Sequence, residues 1–158
     1  MKPFLPVLLL LLFIPGCSKP LTVEQQVIST IRNMEARIEE NERRAFMEYI
    51  ADDFSAQDGR MNRDQVRALV VFQLQRYQRL QAQLFPISVS ETGTGTAEAR
   101  FRALVTGGPG WIPDSGQVYD FETAWRQDGD EWLLVSANWE PVPLDEVIEN
   151  LPLPANDP

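Results

Sequence analysis

Asp52, Asp53 and Asp58 lie within seven positions of one another, and carboxylates are the side chains that shuttle protons or hold hard cations near neutral pH. A cation site needs several oxygen ligands at one place. Asp52-Asp53 reads as a pair at a helix end with no third ligand beside it, so no metal is expected. Asp58-Gly59 reads as an ordinary turn dipeptide. Histidine is absent, which removes His-based triads, Cys-His pairs and His metal sites together. Gly107-Gly108-Pro109-Gly110 lacks the lysine and the helix of a phosphate loop, so it reads as a connection between strands and no cofactor is expected. Trp111 beyond it either packs on its own loop or covers the mouth of a pocket. Arg60, Arg63 and Arg67 fall on one side of a helix, where they either pair with the chain's own carboxylates or receive an acidic partner or a phospholipid headgroup.

The N-terminus has a different chemistry. Lys2, an apolar run from Phe4 to Ile14 and small residues after it make the three-part pattern of an export signal, with a run too short to span a bilayer. Ile14-Pro15-Gly16-Cys17 resembles the bacterial lipobox. That resemblance implies cleavage after residue 16 and lipid attachment at Cys17, the only cysteine of the chain. Each buried acyl CH₂ contributes roughly 0.8 kcal/mol, so two or three chains anchor stably. Ser18, standing where the retention signal usually has aspartate, implies the outer membrane, facing the periplasm. Residues 18–21 reach at most about 14 Å, so the tether 17–21 holds the domain close to the bilayer. Losing Lys2 takes the formal charge from −9 to −10, which argues against nucleic acid and against a general affinity for anionic headgroups. The membrane partner is therefore reached through the lipid anchor.

Residues 22–141 are long enough for one domain with a real core. Thr22 and Gln25 form a capping box, and Val27, Ile31, Met34 and Ile38 share one helical face. Glu39 with Arg43 and Glu40 with Arg44 have the i,i+4 spacing of surface pairs. Asn41 marks a break, after which Ala45, Phe46, Tyr49 and Ile50 carry a second helix to about Asp53. Asn62 and Gln65 repeat the capping logic, and a third helix runs to about Gln83 with Val66, Leu69, Val70, Tyr77, Leu80 and Leu84 inward. Val71, Phe72 and Leu74 lie off that face and mark a contact, of which a homodimer is the simplest.

From Pro86 the period becomes 2. Strands are expected at 87–92, 97–106, 117–127 and 132–140, the last two joined by an Asp128-Gly129-Asp130 turn. Ala99, Phe101, Ala103 and Val105, then Tyr119, Phe121, Thr123 and Trp125, then Leu133, Val135, Ala137 and Trp139 are expected on one apolar face. Arg100, Arg102, Asp120, Glu122, Ser136 and Asn138 take the other. Residues 142–158 are proline-rich and acidic, with one possible short helix on Leu144, Val147, Ile148 and Leu151.

Three helices before a curved antiparallel sheet of about four strands resemble the NTF2-like cone, an α+β fold shared by SnoaL-like and ketosteroid isomerase-like proteins. The segments that carry the likeness are Tyr49 to Phe54 and the hairpin from Gly116 to Glu140. The resemblance implies a pocket between the helices and the concave face, and the candidates to line it are Tyr49, Phe54, Tyr77, Phe101, Tyr119, Phe121, Thr123, Trp125 and Trp139. The spacing of Ala51-Asp52-Asp53 and Asp58 is similar to the isomerase segment whose last aspartate is the base, which would make Asp58 a general base. The tyrosine of those enzymes falls near Met34 here, and no acid on the concave face supplies an oxyanion donor. The expectation is thus a tethered, non-enzymatic binder of a small apolar ligand or a protein partner. An isomerase or dehydratase using Asp58, and a dimeric scaffold, are the alternatives.

Overall fold

A computed structural model describes residues 20–77, 79–108 and 115–143. Cys17, Trp111 and the tail from Leu144 onward lie outside the described residues. The first helix, α1 (Val23–Glu39), opens on the expected capping box: the Gln25 N–H donates to Thr22 Oγ1 at 3.2 Å and the Thr22 N–H to Gln25 Oε1 at 3.1 Å. Val27, Ile31 and Met34 are buried from it, and Ile38 is half-buried. The helix stops where Asn41 turns left-handed at φ 60°, a conformation that asparagine tolerates better than most residues. Arg37 spans the break, donating to Glu42 at 2.6 Å and to Glu40 at 3.3 Å. Because α1 ends at Glu39 and α2 (Arg43–Glu48) starts afresh, the expected Glu39–Arg43 and Glu40–Arg44 pairs have no continuous helix to align them.

The second helix is shorter than its apolar stripe implied. Instead of running to Asp53, the chain leaves α2 and becomes strand β1 (Ile50–Ala56). Beside it, β2 (Met61–Asn62) adds an antiparallel step, and α3 (Arg63–Tyr77) opens on a second capping box: the Gln65 N–H donates to Asn62 Oδ1 at 3.0 Å and the Asn62 N–H to Gln65 Oε1 at 2.9 Å. Arg63 then donates to the carbonyls of Met47 at 2.9 Å and Ile50 at 3.1 Å, tying the start of α3 to the junction of α2 and β1. Two corrections fall on α3. It ends at Tyr77 rather than near Gln83, and Leu74 is buried rather than part of an exposed patch, leaving Phe72 as the helix's exposed large apolar residue at 56 %.

The sheet has seven strands, not about four, and it is mixed. After β1 and β2 come β3 (Leu80–Leu84), β4 (Ser88–Gly93), β5 (Thr96–Gly107), β6 (Ser115–Asp128) and β7 (Glu131–Pro141), in the order β2-β1-β7-β6-β5-β3 with β4 also on β5. All pairs are antiparallel except β1, which runs parallel to β7. Leu80 to Leu84 alternates apolar with glutamine, a strand pattern, and its backbone covers Ala103–Gly107 of β5. The far half of β5 is covered by β4, so neither half of that long strand is left with open hydrogen-bonding groups. At the end of β5, a Cβ on Gly107 would meet the Tyr77 ring at 2.6 Å, so only glycine lets α3 close this tightly on the sheet.

One irregularity decides which residues face the helices. Ala124 pairs with Ser136 and Trp125 with Leu134, so Val135 is the extra residue of a bulge in β7. The bulge reverses the alternation: Trp132 and Leu134 are buried before it, Ala137 after it. Leu133 and Val135, expected on the apolar face with Ala137, are half-buried and out of step with it.

Candidate functional site

Between α1, α2 and α3 on one side and the concave face of β5, β6 and β7 on the other lies a cavity of about 200 Å³. From the sheet, Phe101, Phe121 and Trp139 stand side by side across three strands, because the register places Phe101 opposite Phe121 and Phe121 opposite Trp139. The two phenylalanine rings stack with centroids 5.2 Å apart and planes at 11°, and Trp139 follows at 6.4 Å. Phe54, Thr123 and Trp125 complete the sheet side, while Ile31, Met34 and Phe46 close the helix side. Six of the nine expected lining residues thus meet here.

The three tyrosines do not line this cavity. Tyr49 faces a separate open cleft near Leu21 and Trp132, Tyr77 packs on Gly107 with the Arg76 guanidinium 5.2 Å above its ring, and Tyr119 lies 6.2 Å from Phe121 further along β6. In their place are Val66 and Leu84, which the sequence assigned to the inner face of a helix, and Ala82 and Leu134, to which it assigned no inward face. The signal for Val66 and Leu84 was hydrophobic period, which reports burial and not the presence of a pocket; Ala82 falls in a stretch expected as helix, and the bulge at Val135 turns Leu134 inward.

The polar chemistry of the wall is closed. Thr123 Oγ1 donates to the Ala99 carbonyl at 3.0 Å and accepts from the Trp125 indole N–H at 2.9 Å, so its hydroxyl is spent within the protein. Glu35 contributes its stem, and its carboxylate is ion-paired to Arg32 at 3.1 Å. The exposed wall is apolar throughout, and no buried side-chain nitrogen or oxygen among the described residues lacks a hydrogen-bond partner. Such a surface can exclude water and hold an apolar guest.

The carboxylates that first drew interest are elsewhere. Gln57, Asp58 and Gly59 form a left-handed run with φ of 52°, 56° and 81°, turning the chain out of β1. There Asn138 grips Asp58 twice: the Asp58 N–H donates to Asn138 Oδ1 at 2.9 Å, and Asn138 Nδ2 donates to Asp58 Oδ1 at 3.0 Å. Asp58 is exposed, and Asn138 is the neighbour of Trp139 in β7, so its side chain takes the face away from the cavity. Asp53 accepts both Arg126 guanidinium nitrogens at 2.8 and 2.9 Å, and that hydrogen-bonded cation holds its carboxyl below the usual aspartate range. Asp52 is fully exposed, 3.8 Å from Arg63. Among the described residues no three acidic or thiol side chains gather as metal ligands, and no helix is long and apolar enough to cross a membrane.

No protein-family model matches the chain. No curated protein matches it either. Solved structures do. An NTF2-like protein of unknown function from Pseudomonas putida shares 16 % identity and a TM-score of 0.63 over 85 % of this chain and 96 % of its own. A candidate dehydratase of the NTF2-like family from Streptomyces avermitilis shares 20 % identity and a TM-score of 0.65 over 76 % and 96 %. A protein from Bdellovibrio bacteriovorus shares 9 % identity and a TM-score of 0.65 over 75 % of this chain, which spans only 41 % of that longer protein. At such identities the likeness is one of architecture, and the architecture of residues 20–143 is the NTF2-like cone.

Proposed function

We propose that this protein is a lipid-anchored envelope protein whose cone binds a small apolar ligand without transforming it. The observation that carries the binding role is the wall described above: an apolar pocket of about 200 Å³, open on one side, in which the two polar residues, Thr123 and Glu35, keep their oxygens engaged elsewhere. An enclosed apolar void of about 150 Å³ accepts a benzene-sized guest, so this pocket has room for a single ring or a short branched chain. Support for the anchor comes from Lys2, the apolar run and Ile14-Pro15-Gly16-Cys17, with Ser18 favouring the outer membrane.

Two experiments test the two halves. Intact-mass analysis of the mature N-terminal peptide is expected to show a thioether-linked diacylglycerol on Cys17, and a free thiol there refutes the anchor. Organic extraction of the purified protein is expected to release one apolar compound per chain, absent from Ala103→Leu, which fills the void from a buried alanine of β5. If nothing is retained, and a panel of apolar compounds leaves the melting temperature unchanged, the binding role fails.

The competing isomerase or dehydratase reading draws on the likeness to the Streptomyces protein. It needs a free acid or base at the cavity, and Asp58 is instead held by Asn138 on the outer face. A homodimer built on Phe72 is a further possibility, for which sedimentation of the protein is the direct measurement.

A further inference from the structure

A second concavity, of about 550 Å³, runs between α2 and α3 on the outside of the helical layer. Its chemistry is the reverse of the first. Arg43 and Met47 are one turn apart on α2, and Arg63 and Arg67 one turn apart on α3, so the two helices present cations to each other across the groove. Arg44 adds a further guanidinium, and the sole carboxylate on the lining is Glu48. Arg63 is occupied with the carbonyls of Met47 and Ile50, whereas Arg43, Arg44 and Arg67 make no ion pair or side-chain hydrogen bond among the described residues. In a chain of net charge −9, unneutralised cations gathered in one groove stand out against their surroundings.

Guanidinium forks match the oxygens of a phosphate, and the floor of this groove is apolar, formed by Met47 and Val70. A ligand that satisfies both parts carries a phosphate joined to a hydrocarbon portion.

We infer that the α2–α3 groove binds the phosphodiester headgroup of an anionic phospholipid, with Arg43, Arg44 and Arg67 as its ligands and the start of the acyl region over Met47 and Val70. This inference stands apart from the lipid anchor and from the inner cavity. The probe is phosphatidylglycerol added to the full chain in neutral detergent, with phosphatidylcholine of the same acyl chains as the reference and native mass spectrometry as the readout.

The expected result is at least about tenfold tighter binding of phosphatidylglycerol than of phosphatidylcholine, roughly the effect of one charge-assisted contact. Arg43→Gln with Arg67→Gln should remove that preference, and Glu48→Gln, which takes away the opposing charge, should strengthen it several-fold. The gain in the second variant separates a lost site from a damaged fold. Equal binding of the two lipids, or a preference unchanged in both variants, overturns the inference. Inorganic phosphate binding as tightly as the lipid overturns it too, because the hydrocarbon floor then contributes nothing. The state of Cys17 does not enter this measurement, so a failed anchor and a failed groove are told apart.

Discussion

The two faces of β5, β6 and β7 are made by alternate residues of the same strands, yet they differ in almost every physical respect. Inside, Phe101, Phe121 and Trp139 line up across the sheet, while the residues that flank the two phenylalanines along β5 and β6 pair on the other face: Arg100 with Glu122 at 3.2 Å, Arg102 with Asp120 at 2.6 Å. Cross-strand pairs of either kind contribute roughly 0.2 to 1 kcal/mol, but burial adds to the inner set and solvent screening subtracts from the outer. The outer carboxylates are therefore cheap to alter, and the inner hydroxyl and indole are not. The sequence already leaned toward this ranking, with Asp58 read as a turn residue and the aromatics as candidates to line a pocket. In this fold the acids trim a solvated surface, and the aromatics bound the apolar cavity.

The sharpest way to break the contrast is Trp125→Ala. Trp125 is 2 % exposed, and its indole is the hydrogen-bond donor to Thr123. Truncation is expected to cost about 3–5 kcal/mol in chemical denaturation, as large aromatic deletions in cores do. A loss below about 1 kcal/mol would mean that the cavity wall is not part of the cooperative core. Next comes Thr123→Val, which keeps the shape but strands the indole N–H and the Ala99 carbonyl; about 1–3 kcal/mol is expected from the same measurement.

On the outer face the effects shrink. Asp53 has a carboxyl held low by Arg126, so its contribution to stability is present above the unfolded-state value, about 3.9, and disappears as the pH falls through the lower folded value. An NMR titration should find Asp53 below the ordinary aspartate range in the native protein and returned toward it in Arg126→Gln; no difference between the two would refute the pair. Smallest of all is Asp58→Asn, expected to change stability by less than about 0.5 kcal/mol because its position is exposed and the backbone bond to Asn138 survives. A change of several kilocalories would show that the turn carries more than a surface contact.

Much of this architecture was written in short-range pattern. Both capping boxes, the apolar face of α1, the break at Asn41 and the long hairpin of β6 and β7 follow from spacing within a few residues, and five of the six cavity residues could be read from period-2 alternation once the concave face was assumed, Phe54 coming from the family resemblance alone. What local pattern could not decide were the elements whose partners are remote. Ile50–Ala56 is a strand because the free edge of β7 supplies hydrogen bonds that a helix there would leave unused; Leu80–Leu84 alternates like a strand but its two leucines also keep the i,i+4 spacing of a helix face, and the cover that half of β5 needs decides between the two.

The bulge at Val135 is of this kind too. A single extra residue in β7 exchanges which side chains face the helices, and it exists to fit β7 to both β6 and a parallel β1, so no window of β7 alone contains it. The side of the sheet on which a carboxylate falls is equally non-local: Asp58, a turn residue by its sequence and a general base only under the isomerase alternative, is held by Asn138 on the outer face. Composition and periodicity determined what must be buried; only the closing of the sheet on the helices decided where the burial left room.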